Sequence, residues 1–166
     1  MSPLVGIVMG SDSDLELMKK CMGQLDAFGV AYEVRIISAH RTPQIAHEYT
    51  ASARKRGLKV IIAAAGMSAA LSGVMAAGTT LPVVGVPVNS GPLNGIDAAL
   101  STMQMPPGIP VACMAIGSSG ATNAAIFAAQ ILALSDESLA GKLEKFKKDQ
   151  ADKVAAKDAE LAKSLK

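Results

Sequence analysis

The run VIIAAAGMSAALSGVMAAGTTLPVVGVPVNSGPLNGI, Val60 to Ile96, contains no charged residue. It is long enough to span a bilayer. Glycine and proline argue against that reading, because Gly66, Gly73, Gly78, Pro82, Gly85, Pro87, Gly91, Pro92 and Gly95 cut the run into short pieces. What remains is two apolar fragments, KVIIAAAG and LPVVGVPV, separated by a small-residue helical segment around Ala69 to Ala77. Short, continuously apolar fragments between turn signals fit a parallel sheet buried on both faces. The expectation is strand, helix, strand, with no membrane span.

The same alternation runs through the rest of the chain. Leu4 to Met9 reads as a strand, and Asp12 to Phe28 as a helix with apolar positions Leu15, Met18, Met22 and Leu25, closed by Gly29. Val30 to Ile37 is a second strand. Thr42 to Arg56 is a second helix, with Thr42 as the expected N-cap before Pro43 and Gly57 as its end. Leu58 to Ala65 and Pro82 to Val88 are strands three and four, and Ile96 to Met103 a helix. Ile109 to Ile116 is a fifth strand and Ala121 to Leu134 a fifth helix. Such alternation, joined by right-handed crossovers, predicts an α/β fold: a flavodoxin-like, doubly wound, five-stranded parallel sheet ordered 2-1-3-4-5.

Composition sets further bounds. A chain of 166 residues fits one domain with a sizeable core. With 50% hydrophobic residues, two tyrosines, three phenylalanines and no tryptophan, that core rests on Ala, Val, Ile, Leu and Met. A net charge of +2 argues for no polyanion partner, so nucleic acid is not expected. Cys21 and Cys113 have neither CxxC nor metal-ligand spacing and read as reduced thiols, which suits the cytoplasm. MSPLVGIVMG lacks a basic start and enters a strand pattern at once, so no signal peptide is expected.

From Val60 to Ser135 the only charged residue is Asp97. Exposed surface is normally well charged, so this stretch predicts cover by other subunits in a homo-oligomer. Charges return densely over residues 136–166, where Leu139, Leu143, Phe146, Val154, Leu161 and Leu165 make a sparse apolar stripe. The expected organisation is a catalytic domain over 1–135 and an amphipathic helix over 136–166. That helix is either a solvated tail or an arm packing on a neighbouring subunit, and the stripe favours the arm.

In an open parallel sheet of this order, ligands bind outside the carboxyl ends of the strands, where the strand order reverses. The rule gathers three loops: GSDSD (Gly10 to Asp14), SAHRT (Ser38 to Thr42) and AGMSAALSG (Ala65 to Gly73). The first combines a close-approach glycine, the hydroxyls of Ser11 and Ser13, and the free N–H groups of a helix start, which together favour a phosphate. The same residues also serve as plain N-caps. It is neither a Walker A loop nor GxGxxG, so no nucleoside triphosphate or dinucleotide is indicated. The Asp14 carboxylate can accept from two ribose hydroxyls, and the planar donor fork of Arg41 can hold a phosphate. Phosphate plus vicinal diol suggests a ribonucleotide. His40 stands at a strand end beside Arg41, and a histidine there suits proton transfer; His47, within the second helix, reads as exposed. The third loop lets backbone approach a planar ligand or leaves room for a small neutral molecule, although tight helix packing gives the same composition.

GSDSD, SAHRTP, LPVVGVPV, LNGIDAALS, QMPPGIPV and NAAIFAAQIL, in order over residues 4–135, resemble the PurE family of purine biosynthesis. The resemblance implies a homo-octamer with no metal or organic cofactor, acting on carboxyaminoimidazole ribonucleotides. It implies His40 as general acid/base, and Ser11, Asp14 and Arg41 on the ribose phosphate. Ser38, Gly66, Ser68, Ala70 and Leu71 are implied to complete the substrate site. The bacterial branch of the family is a mutase that moves the carboxylate of N5-carboxyaminoimidazole ribonucleotide (N5-CAIR) to a ring carbon. The second branch carboxylates aminoimidazole ribonucleotide (AIR) with carbon dioxide directly. AALSG stands where mutases typically carry AHLPG, placing Ala70 at a histidine position and Ser72 at a proline. Arg41, GMSA, GVPV and QMPPGIPV resemble the mutase branch. A flavodoxin-like module binding a flavin is the remaining alternative, disfavoured because the carboxyl-end loops hold no aromatic residue to stack on the ring.

Overall fold

In the computed structural model, which describes residues 2–165, strands and helices alternate as the sequence predicts. The order is β1 (Val5–Met9), α1 (Leu15–Phe28), β2 (Tyr32–Ile36), α2 (Pro43–Ala53), β3 (Val60–Gly66) and α3 (Leu71–Ala77). It continues with β4 (Val83–Val88), α4 (Ile96–Met103), β5 (Ala112–Cys113), α5 (Ser118–Ala133) and α6 (Glu137–Ser164). All pairings are parallel and the sheet order is β2-β1-β3-β4-β5. The expected end positions Met1 and Lys166 lie outside the described residues. No helix among the described residues is long and apolar enough to cross a membrane.

Side chains on successive strand positions point to opposite faces, and each face has its own core. Val5, Ile7 and Met9 join Val60, Ile62, Ala64, Val84 and Val86 on the face covered by α1 and α5. Val8 joins Ile61, Ala63 and Val83 on the other face, under Tyr49, Leu71 and Met75. The alanines of α5 (Ala121, Ala124, Ala125, Ala128 and Ala129) are fully buried, so this helix approaches the sheet closely without large side chains. Gly6 in β1 performs the same service on the opposite face, where a Cβ would collide with the Tyr49 hydroxyl.

Several boundaries differ from the sequence expectation. The first helix opens with a 3₁₀ turn over Asp12–Asp14, in which the Ser11 hydroxyl accepts from the Ser13 N–H at 3.3 Å. Thr42 does not cap α2 with its side chain. Its hydroxyl turns back instead, donating to the Ser38 carbonyl and accepting from the Ser38 N–H, both at 3.0 Å. β5 shrinks from the expected Ile109–Ile116 to two residues. It is an edge strand whose approach runs through Pro110, which has no N–H to give the ladder, and its exit is drawn off by the Gly117 N–H bonding to the Pro87 carbonyl at 2.9 Å.

Asp136 caps the start of α6, its carboxylate accepting from the Leu139 N–H at 3.0 Å. Leu139 is buried, and Leu143 and Phe146 pack partly against the same core as α1. Phe146 meets Phe28 edge-on at a centroid distance of 5.3 Å, and Lys142 donates to the Phe28 carbonyl at 2.7 Å. Farther along, Val154, Leu161 and Leu165 stand exposed. The apolar stripe therefore divides, its first half covering the chain's own core and its second half covering nothing within the chain.

Candidate active site

Strand order brings the carboxyl ends of β2, β1, β3 and β4 side by side, and an open cleft of about 600 Å³ lies across them. All nine residues expected for the site line it: Ser11, Asp14, Ser38, His40, Arg41, Gly66, Ser68, Ala70 and Leu71. Gly10 and Ser13, from the same first loop, line it too. His47 does not. A larger hollow, about 780 Å³, lies at the amino ends of the strands among Leu4, Phe28, Pro82, Leu132 and Leu139. It too holds hydroxyls, a carboxylate and a guanidinium, from Ser135, Ser138, Asp136 and Arg54, but no imidazole, and it lies at the opposite end of the strands from where ligands bind in a sheet of this order. The carboxyl-end cleft is therefore the candidate site.

Two loops supply its charge. Arg41 is held from two sides: Nη2 donates to the Gly10 carbonyl at 3.0 Å, and Nε donates to Ser38 Oγ at 3.3 Å. The Arg41 N–H donates to the same hydroxyl at 3.2 Å. The β2 loop is thereby laced to the end of β1, and the guanidinium is oriented before any ligand arrives. His40 stands next to it, exposed at the rim. Asp14 is the buried charge of the site, only 7% exposed, and accepts from the Ser13 hydroxyl at 3.3 Å. Burial pushes its carboxyl above the ordinary range, against the lowering effect of the Ser13 and Ser11 hydrogen bonds.

The facing wall is neutral. β3 ends at Gly66, and Met67 follows with a positive φ of 56°, a left-handed conformation uncommon outside glycine. The Ala70 N–H then bonds the Ser68 carbonyl at 2.8 Å as the chain enters α3. Ala39, Ala65 and Met67 also line the cleft, from within the loops the sequence singled out, and only Ser90 comes from a loop the sequence reading missed. Ser90 had a readable signal, since it follows strand four and the carboxyl-end rule applies to that loop as well. The cleft lining includes no Phe, Tyr or Trp, so nothing in it stacks on a flavin ring. Among the described residues, no group of three or more His, Cys, Asp or Glu is placed to hold a metal ion.

Comparison with known proteins gives the family. The family model described as AIR carboxylase matches residues 4–153. A Vibrio parahaemolyticus protein named N5-carboxyaminoimidazole ribonucleotide mutase is 55% identical, covering 92% of this chain and 94% of its own. A Bacillus subtilis protein of the same name is 53% identical, covering 97% and 99%. Among solved structures, Treponema denticola PurE superposes with a TM-score of 0.83 at 34% identity, covering 96% of this chain and 98% of that one. With the match running through every strand and through all of the loops that build the cleft, the chain belongs to the AIR carboxylase (PurE) family.

Proposed function

We propose that this protein is an N5-CAIR mutase of purine biosynthesis, an isomerase that moves a carboxylate from the exocyclic nitrogen of the ribonucleotide to a ring carbon. The observation that carries the reading is the meeting of His40, Arg41 and Asp14 with a neutral, small-residue wall in one cleft. The chain is also 53–55% identical to proteins named as this mutase.

In this reading Arg41, Ser11 and the N–H groups after Gly10 hold the phosphate, and Asp14 accepts from the ribose hydroxyls. Ser38 fixes Arg41. The imidazole of His40 gives a proton to the exocyclic nitrogen as its bond to the carboxyl carbon breaks, leaving AIR and carbon dioxide. The ring carbon then forms its bond to the carbon dioxide, and His40 takes back the proton that this carbon sheds as aromaticity returns. The proton balance closes, and no oxidant or reductant is required. The wall from Gly66 through Ser68 and Ala70 to Leu71 leaves room for the carbon dioxide, whose confinement keeps the second step effectively intramolecular.

The same reading takes residues 1–135 as the catalytic domain and 136–166 as a helix whose far half packs on a neighbouring subunit. The assembly is a homo-octamer in the cytoplasm. The exposed Val154, Leu161 and Leu165, together with Ile96, Leu100 and Met103 along the outer face of α4, support cover by other copies.

Direct carboxylation of AIR is the second reading, favoured by the methyl group of Ala70 where an imidazole would mark the mutase. A paired assay decides between them. One sample holds N5-CAIR, and the other holds AIR with bicarbonate at cellular concentration. Fast product formation only in the first supports the mutase, efficient formation in the second supports the carboxylase, and activity in neither overturns both.

A further inference from the structure

The charged groups of the cleft, Asp14 and Arg41, and the imidazole of His40 all come from the β1 and β2 loops. The opposite wall, from the ends of β3 and β4, offers only two side-chain hydrogen-bond donors, the hydroxyls of Ser68 and Ser90. A carboxylate that must leave one atom and reach another is poorly served by a cation on that wall. A full ion pair would hold it in the ground state as tightly as in the transition state and lower no barrier. A neutral hydroxyl orients the group and still releases it.

The two serines are not equivalent. Ser68 is exposed, whereas Ser90 is half-buried, and its hydroxyl has no hydrogen-bond partner among the described residues. The hydroxyl occupies the space that a Cβ at Gly66 would need. The next pair repeats the contact, with the Met67 side chain lying where a Cβ at Gly91 would come within 3.1 Å of its Cγ. The β3 and β4 loops thus interlock at two successive positions, and the interlock fixes where the Ser90 hydroxyl stands.

We infer that Ser90 is a substrate-positioning residue whose hydroxyl donates to the migrating carboxylate, with Gly66 kept free of a side chain to admit it. The inference rests on the mutase reading. Ser90→Ala removes the donor but keeps the Cβ that packs against Gly66. Its kcat/KM for N5-CAIR is expected to fall about 10- to 100-fold, the usual loss for a hydrogen bond to a charged group. Calorimetric affinity for AIR, which lacks the carboxylate, should stay within about twofold.

Gly66→Ala forces the Ser90 hydroxyl into another rotamer and should reproduce the Ser90→Ala loss. The two changes combined should then cost little more than either alone. Turnover of Ser90→Ala within about twofold of wild type, or AIR affinity falling in parallel with turnover, overturns the assignment. So does full additivity of the two changes. A wild-type protein inactive on N5-CAIR overturns the mutase reading and Ser90's role with it; an active wild type with an indifferent Ser90→Ala overturns the serine alone.

Discussion

Arg41 reaches across 31 positions of sequence to donate from Nη2 to the Gly10 carbonyl at 3.0 Å, while its Nε holds Ser38 Oγ. A lysine can carry the charge but cannot reproduce both directions of the fork. Arg41→Lys is expected to raise KM about 10-fold or more with a smaller effect on kcat. Because the side chain is exposed, the melting temperature should barely move. Steady-state kinetics beside a thermal melt checks this; an unchanged KM would remove Arg41 from the phosphate site.

His40 tests the chemistry rather than the binding. His40→Asn keeps a polar planar side chain at the rim but cannot exchange a proton, so AIR should bind nearly as to wild type. Turnover should drop by roughly 10²- to 10⁴-fold, the usual range for a lost general acid/base. Near-normal turnover would sink the proton-transfer role.

The residues that revealed the fold were those whose meaning is local. Gly29, Gly57 and the apolar runs at Val60–Ala64 and Val83–Val88 mark ends and strands without reference to anything distant. The cleft was readable because the strand-order rule turns three separate loops into neighbours, and all nine residues expected for the candidate site line it. What stayed hidden depended on tertiary placement. The Thr42 hydroxyl had two uses, a cap or a tie to Ser38, and the folded loop selected the tie. The positive φ of Met67 is invisible because methionine does not advertise it, as glycine would. β5 shortened because an edge strand is paired on one side only, so a proline at its approach has no second neighbour to compensate.

Asp14 links stability to binding. Burial holds its carboxyl above the ordinary range, so between the ordinary and the raised value the folded chain binds more protons than the unfolded chain. Stability therefore falls as pH rises through that window and stays at the lower level above it. Asp14→Asn, which buries no charge, should melt higher than wild type at pH 7, by roughly 2–4 °C for each kcal/mol recovered. The gain should shrink as the pH is lowered to the ordinary carboxylate range. Substrate affinity should fall, because the ribose hydroxyls lose a charged acceptor. Paired melts at pH 4 and pH 7 check the sign; a variant that melts lower at both would mean that the Ser13 hydrogen bond outweighs the desolvation.

The division of α6 predicts two different results for two truncations. Ending the chain at residue 136 removes Leu139, Leu143 and Phe146, uncovering Phe28 and the adjoining core. Losing one buried leucine side chain typically costs about 2–5 kcal/mol, so this form should be strongly destabilised at the level of the single chain. Ending at residue 150 keeps that packing and the Lys142 bond to the Phe28 carbonyl, and removes only the half bearing the exposed Val154, Leu161 and Leu165. Its far-ultraviolet signal should lose little beyond the helix removed; under the proposed packing of that stripe on another copy, sedimentation should shift toward smaller species. Identical sedimentation of the 1–150 form and the full chain would make the far half of α6 a solvated extension. The exposed apolar face of α4, with Ile96, Leu100 and Met103, would then be the next surface to test for contact between copies.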